Sequence, residues 1–125
     1  MKILIETIPH ASQRYPTVGD WYEKDGVLHI KVSEELANDE ALLVALHEQV
    51  EVTLCKKRGI TESQDDAFDM EYEKNRKECD ESEPGDHPDA PYRKEHFFAT
   101  NIERLMAGEL GVDWELYADH LEALP

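Results

Sequence analysis

His47, Glu48 and Glu51 stand within five residues of one another, in the stretch Ala45-Leu46-His47-Glu48-Gln49-Val50-Glu51. The surrounding chain is apolar at helical spacing. Leu42, Leu43, Leu46, Val50 and Leu54 recur on one side, and Val44, Val52 and Cys55 extend the apolar surface around the cylinder. A helix that is apolar nearly all round belongs in an interior. Ionisable side chains cost free energy there unless they are paired or bind a metal. His47 and Glu51, four residues apart, share a face, so one helix can offer an imidazole nitrogen and a carboxylate oxygen to the same ion. The alternative is a structural pair, His47 hydrogen-bonded to Glu51, with Glu48 on a wet surface.

A metal site needs a third ligand from elsewhere in the chain. His96, Thr100, Glu103 and Ala107 share one face of a later helix, beside the apolar stripe of Phe98, Ile102, Leu105 and Met106. His96 is the expected ligand because it adds a second nitrogen. Its alternative is a turn contact at the start of its helix.

These residues must be positioned by a small set of elements. Lys2 to Ile8 alternates as a strand. Trp21–Lys24 and Val27–Val32 flank Asp25-Gly26, a strong two-residue hairpin signal. Helical periodicity begins after Asn38 and Asp39, either of which can cap it. It runs from about Asp39 to Lys57 and stops at Gly59. Thr61-x-x-Gln64 is a capping box that opens a second helix to about Lys77. Glu78 to Pro91 carries Pro84, Gly85, Pro88 and Pro91 and reads as a flexible acidic loop. A third helix spans about Arg93 to Glu109, and Asp113 caps a short final one to Leu121. The expected fold class is α+β: one domain over residues 1–125, with a short antiparallel sheet of about three strands packed on three or four helices.

Charge narrows the partners. Lys and Arg total 13 against 29 Asp and Glu, a formal net charge of −16. Residues 1–61 hold 7 basic and 10 acidic side chains, net −3, whereas 62–125 hold 6 and 19, net −13. Such a field repels nucleic-acid backbone and anionic membranes. No glycine-rich phosphate loop, G-x-S-x-G elbow or Cys–His nucleophile pair is present. The first residues are too short an apolar run for a signal or a membrane span. Cys55 and Cys79 form no C-x-x-C, so reduced thiols in a cytoplasmic protein are expected. The oligomeric state is left open.

Several blocks carry a resemblance. Ile8-Pro9-His10, Gln13-Arg14-Tyr15-Pro16-Thr17-Val18-Gly19-Asp20-Trp21, His47-Glu48-x-x-Glu51, Asp66-Ala67-Phe68-Asp69 and Ala90-Pro91-Tyr92-Arg93-Lys94-Glu95-His96-Phe97-Phe98-Ala99-Thr100 look like those of small uncharacterised phage and prophage proteins. More distantly, the hairpin-then-helix order and His47-Glu48 resemble the zincin metallopeptidases and their His-Glu-x-x-His signature. Here that signature becomes HExxE, with Glu51 in place of the second histidine. The resemblance implies zinc as the cofactor, His47, Glu51 and His96 as ligands, and Glu48 as general base toward water. It offers Glu103 as a third ligand in place of His96. It also implies hydrolysis of a peptide or amide bond, with an edge strand of the hairpin aligning an extended substrate.

Two other functions fit the same residues. A non-catalytic phage accessory protein would bind a host or virion protein through its acidic surface, with His47, Glu48 and Glu51 as a polar cluster. Alternatively, Glu48-x-x-Glu51 followed by Glu62-x-x-Asp65 is similar to the carboxylate layout of the all-helical nucleotide pyrophosphohydrolases, which hold magnesium. Asp66 and Asp69 offer another second pair for that layout.

Overall fold

Asp25 and Gly26 turn the chain with φ of 52° and 75°, the paired positive angles of a tight hairpin turn whose twist suits the flanking strands. They join β2 (Gly19–Lys24) to β3 (Val27–Ser33), antiparallel from Lys24 opposite Val27 to Gly19 opposite Val32. The computed structural model describes residues 1–80 and 82–125. Glu81, in the expected acidic loop, lies outside the described residues. β1 (Lys2–Ile8) pairs with the other edge of β3, from Lys2 opposite Val27 to Ile8 opposite Ser33, and runs parallel to it. The sheet order is therefore β1-β3-β2.

The α+β class is as expected, but the sheet is mixed rather than antiparallel throughout. Alternation specifies which faces a strand presents, not its direction. Ile8 and Gly19 both lie at the Ser33 end of β3, so the segment between them, with one 3-10 turn at His10–Ser12, passes that end to the far edge, and β2 carries the chain back to start β3 parallel to β1. Two backbone bonds tie this segment down, Ser33 N–H to Val18 O at 2.9 Å and Glu34 N–H to Ile8 O at 2.8 Å.

Four helices follow: α1 (Asn38–Lys57), α2 (Glu62–Lys74), α3 (Arg93–Leu110) and α4 (Trp114–Glu122). Thr61 caps α2 as its sequence requires: Thr61 Oγ1 accepts from Gln64 N–H at 3.2 Å, and Gln64 Oε1 accepts from Thr61 N–H at 2.8 Å. The helix stops at Lys74, short of the expected Lys77. There the Asn75 amide turns back onto Glu71 O and Oε1, at 3.0 and 2.9 Å, competing with further helical bonding. Among the described residues, no helix is long and apolar enough to cross a membrane.

α1 lies between the sheet and α3. Leu28, Ile30 and Val32 of β3 pack with Leu43, Val44 and Val52 of α1. The inward stripe of α3 is His96, Ala99, Glu103 and Ala107, all buried, and α3 is the principal helical neighbour of α1. Two of those four side chains are a single methyl, so the helix backbones approach closely and the polar pair between them is held at short range. A larger side chain at Ala99 would wedge the helices apart. Ala99→Leu is expected to lower the unfolding free energy by about 1–3 kcal/mol in denaturant titration. Leu105→Ala, on the exposed side of the same helix, should shift it by less than about 0.5 kcal/mol.

Candidate metal centre

Three side-chain atoms converge in the buried seam between α1 and α3. His47 Nε2 lies 3.1 Å from Glu51 Oε2, His96 Nδ1 lies 3.0 Å from the same oxygen, and the two ring nitrogens are 3.2 Å apart. All three residues are buried. The helical spacing of His47 and Glu51 stacks them on one face, and the small residues of α3 bring His96 against both. Ligands at zinc distances sit roughly 3.3–3.4 Å from one another in a tetrahedron, so the observed triangle is close to one face of such a site.

The outer nitrogens of both imidazoles lie near carboxylates, and among the described residues only that of His47 makes a hydrogen bond. His47 Nδ1 is 2.8 Å from Glu103 Oε1, and the Tyr117 hydroxyl donates to Glu103 Oε2 at 2.5 Å. Glu103 is thus the carboxylate that orients His47, and His96 completes the triangle. With Nδ1–H donating to Glu103, loss of the Nε2 proton would turn that nitrogen's lone pair to the centre. On the far side of His96, Nε2 lies 2.8 Å from Glu83 Oε2 and 3.5 Å from Asp86 Oδ1. Glu83 precedes and Asp86 ends a 3-10 turn, Pro84–Asp86, in the segment expected to be an acidic loop. Gly85 is buried there, and a Cβ on it would sit 2.4 Å from His96 Cγ, so only glycine lets the turn cover the ring.

Burial alone would push the His47 imidazolium toward neutrality, but its bonds to Glu103 and Glu51 outweigh that and raise its pKa to about 10. His96 behaves alike: burial opposes the charge, and Asp86, Glu51 and Glu83 raise it to about 12. Glu51 is the mirror case, burial against two imidazoles, and it falls to about 2. Burial and the neighbouring Glu51 raise Glu48 well above the ordinary carboxylate range. Burial likewise raises Asp65 and Asp69 to about 7, against the bonds that Asp69 receives from Tyr92 and Tyr15.

A cavity of about 920 Å³ opens beside the triangle, lined in part by β2, α1 and α2. Glu48 lines it, with Oε1 packed over Gly19, where a Cβ would approach within 2.8 Å. The expected residues His47, Glu48, Glu51 and His96 therefore share one cavity wall. Of the layout similar to the pyrophosphohydrolases, Glu48, Glu51 and Asp65 line this cavity, as do Asp66 and Asp69 of the alternative pair. Glu62 instead accepts from the backbone N–H of Glu23 at 3.0 Å. Sequence reading missed Gly19, Gly85, Glu83, Asp86, Tyr117 and the tyrosines over Asp69. The one signal available was Glu83-Pro84-Gly85-Asp86, in which a glycine follows a proline among acids.

Comparison with protein-family models, with curated proteins and with solved structures finds no match to this chain.

These electrostatics set the pH dependence of the metal-free fold. His47 and His96 have folded-state values above the ordinary imidazole value, so their contribution is full below about pH 6.5 and is lost as pH rises toward about 10 and 12. Asp65 and Asp69 hold protons more tightly folded than unfolded, so they too cost stability as pH climbs from about 4 to about 7. The melting temperature of chelator-treated protein should fall by several degrees between about pH 5 and pH 9. Asp65→Asn should flatten the lower part of that fall. A rise over the same interval would contradict this balance of charges.

Proposed function

We propose that this protein is a zinc-dependent hydrolase of a peptide or amide bond, with His47 Nε2, Glu51 and His96 Nδ1 as metal ligands and Glu48 as general base. One observation carries the reading: two imidazole nitrogens and a carboxylate oxygen converge within 3.2 Å of one another, and the outer nitrogen of each ring faces a carboxylate. Without metal, Glu51 Oε2 accepts from both rings, at 3.1 and 3.0 Å, which leaves two imidazole nitrogens 3.2 Å apart. A cation taking both nitrogen lone pairs and the oxygen satisfies all three. Zinc accepts this mixture of nitrogen and oxygen donors. When bound it supplies Lewis acidity toward water and toward a scissile carbonyl.

The rest of the reaction falls to the chain. Glu48 follows His47 in α1, lines the cavity, and has no ion-pair partner among the described residues within 4.0 Å. Its raised pKa suits a group that must accept a proton from water and return it to the leaving amine. Gly19 keeps the space that the Glu48 carboxyl occupies. β2 is an edge strand of the sheet, and Gly19, Asp20 and Trp21 line the cavity. An extended substrate can add to that edge through its backbone.

The test begins with metal analysis of tag-free protein after dialysis against zinc. About one zinc per chain is expected at neutral pH, falling to substoichiometric in His47→Ala, with chelator lowering the melting temperature of the parent protein only. Glu48→Gln should keep the zinc and lose turnover of a peptide library by at least about 100-fold. A protein that takes up no zinc, with a melting temperature unmoved by chelator, would refute the proposal. Gly85→Ala supplies a second check: forcing the turn off His96 should weaken zinc binding by about 10–100-fold without unfolding the chain.

A further inference from the structure

The cavity beside the triangle has an electrostatic character that the metal ligands do not explain. Arg76 is the only lysine or arginine among its described lining residues, and its guanidinium is turned onto Glu73 at 2.7 Å. Arg14 neutralises Asp20 and Asp66, at 2.7 and 3.0 Å. Glu48, Asp65 and Asp69 line the same wall, and none has a Lys, Arg or His nitrogen within 4.0 Å among the described residues.

Asp65 stands out among them. It is only 5% exposed, and neither carboxylate oxygen has a hydrogen-bond partner among the described residues. The Cys55 thiol beside it is at best a weak donor. A buried carboxylate left in this state costs free energy, and a cationic ligand would offset that cost. One helical turn further along α2, Asp69 accepts from the hydroxyls of Tyr15, at 3.1 Å, and Tyr92. Both tyrosines line the cavity, so aromatic surface accompanies the acids.

A bare metal ion does not fit this wall. Among the described residues, no group of three potential ligands that includes Asp65 or Asp69 brings its donor atoms within 4.8 Å of one another. An organic cation on a carbon chain suits the wider spacing: its charge meets the carboxylates and its methylenes lie along the tyrosine rings.

We propose that Asp65 and Asp69, with Tyr15 and Tyr92, form a subsite for a primary ammonium or guanidinium group, so that the amide handled here carries a lysine-like or arginine-like cation. That it is a substrate rests on the hydrolase reading; that the cavity binds the cation does not.

The experiment is calorimetric titration of the full chain, zinc-loaded and chelator-treated, with Nα-acetyl-lysine amide and with its uncharged counterpart Nα-acetyl-norleucine amide. The lysine compound should bind at least about tenfold more tightly in both metal states, a difference of about 1.4 kcal/mol. Asp65→Asn and Asp69→Asn should each erase most of that preference while leaving zinc content unchanged. Equal affinity for the two compounds, or binding of neither, overturns the subsite whatever the variants do, and so does a preference that survives both substitutions. A lysine preference in a protein that takes up no zinc supports the subsite and removes the hydrolase. Stoichiometric zinc with no lysine preference does the reverse.

Discussion

The structure turns on one carboxylate, Glu51, held between two imidazoles in the seam where α1 meets α3. A buried charge of this kind is tolerated only when its partners are close and are themselves satisfied. That condition propagates outward. His47 must be oriented, so Glu103 sits on its other nitrogen and Tyr117 on Glu103. His96 must be covered, so the turn at Pro84–Asp86 closes over it with a glycine where any side chain would collide. The small residues Ala99 and Ala107 bring the two helices near enough for the contacts to form.

Well-packed hydrophobic side chains in the same seam would be no less stabilising. The polar seam therefore gains no stability over an apolar one. Removing one member is costly, because it leaves the others buried without a partner. Asp65 and Asp69 extend the same pattern along the cavity wall, where burial keeps their protons bound to higher pH than usual. The protein tolerates several such groups because its apolar core lies mainly on the other side of α1, against β3. Ile30 and Val32 are fully buried there with Leu43 and Val52.

Much of this was legible from residue order. The hairpin at Asp25-Gly26, the capping box at Thr61 and the four-residue step from His47 to Glu51 each depend on neighbours in the chain, and each has the expected form. His96 is expected as the third ligand because it adds a second nitrogen, but no local pattern places its helix beside α1. What fixes it is the close packing that Ala99 and Ala107 permit. Hydropathy alone puts Leu46 and Val50 on the buried line of α1. Instead His47 and Glu51 lie on the buried line, and Leu46 and Val50 are half-buried. An apolar pattern ranks faces by hydropathy, and a buried polar seam reverses that order locally. The parallel direction of β1, the turn over His96 and the partners of Asp69 depend on long-range contacts that no local pattern encodes.

The most direct test of the metal centre is zinc X-ray absorption of the loaded protein, recorded for the parent and for His96→Ala. The parent should give two imidazoles and oxygen donors at about 2.0–2.2 Å, and the variant should retain one imidazole with the vacated position filled by a lighter scatterer. An imidazole count unchanged by the substitution, or a zinc ion with no histidine around it, would contradict a centre built on His47, Glu51 and His96.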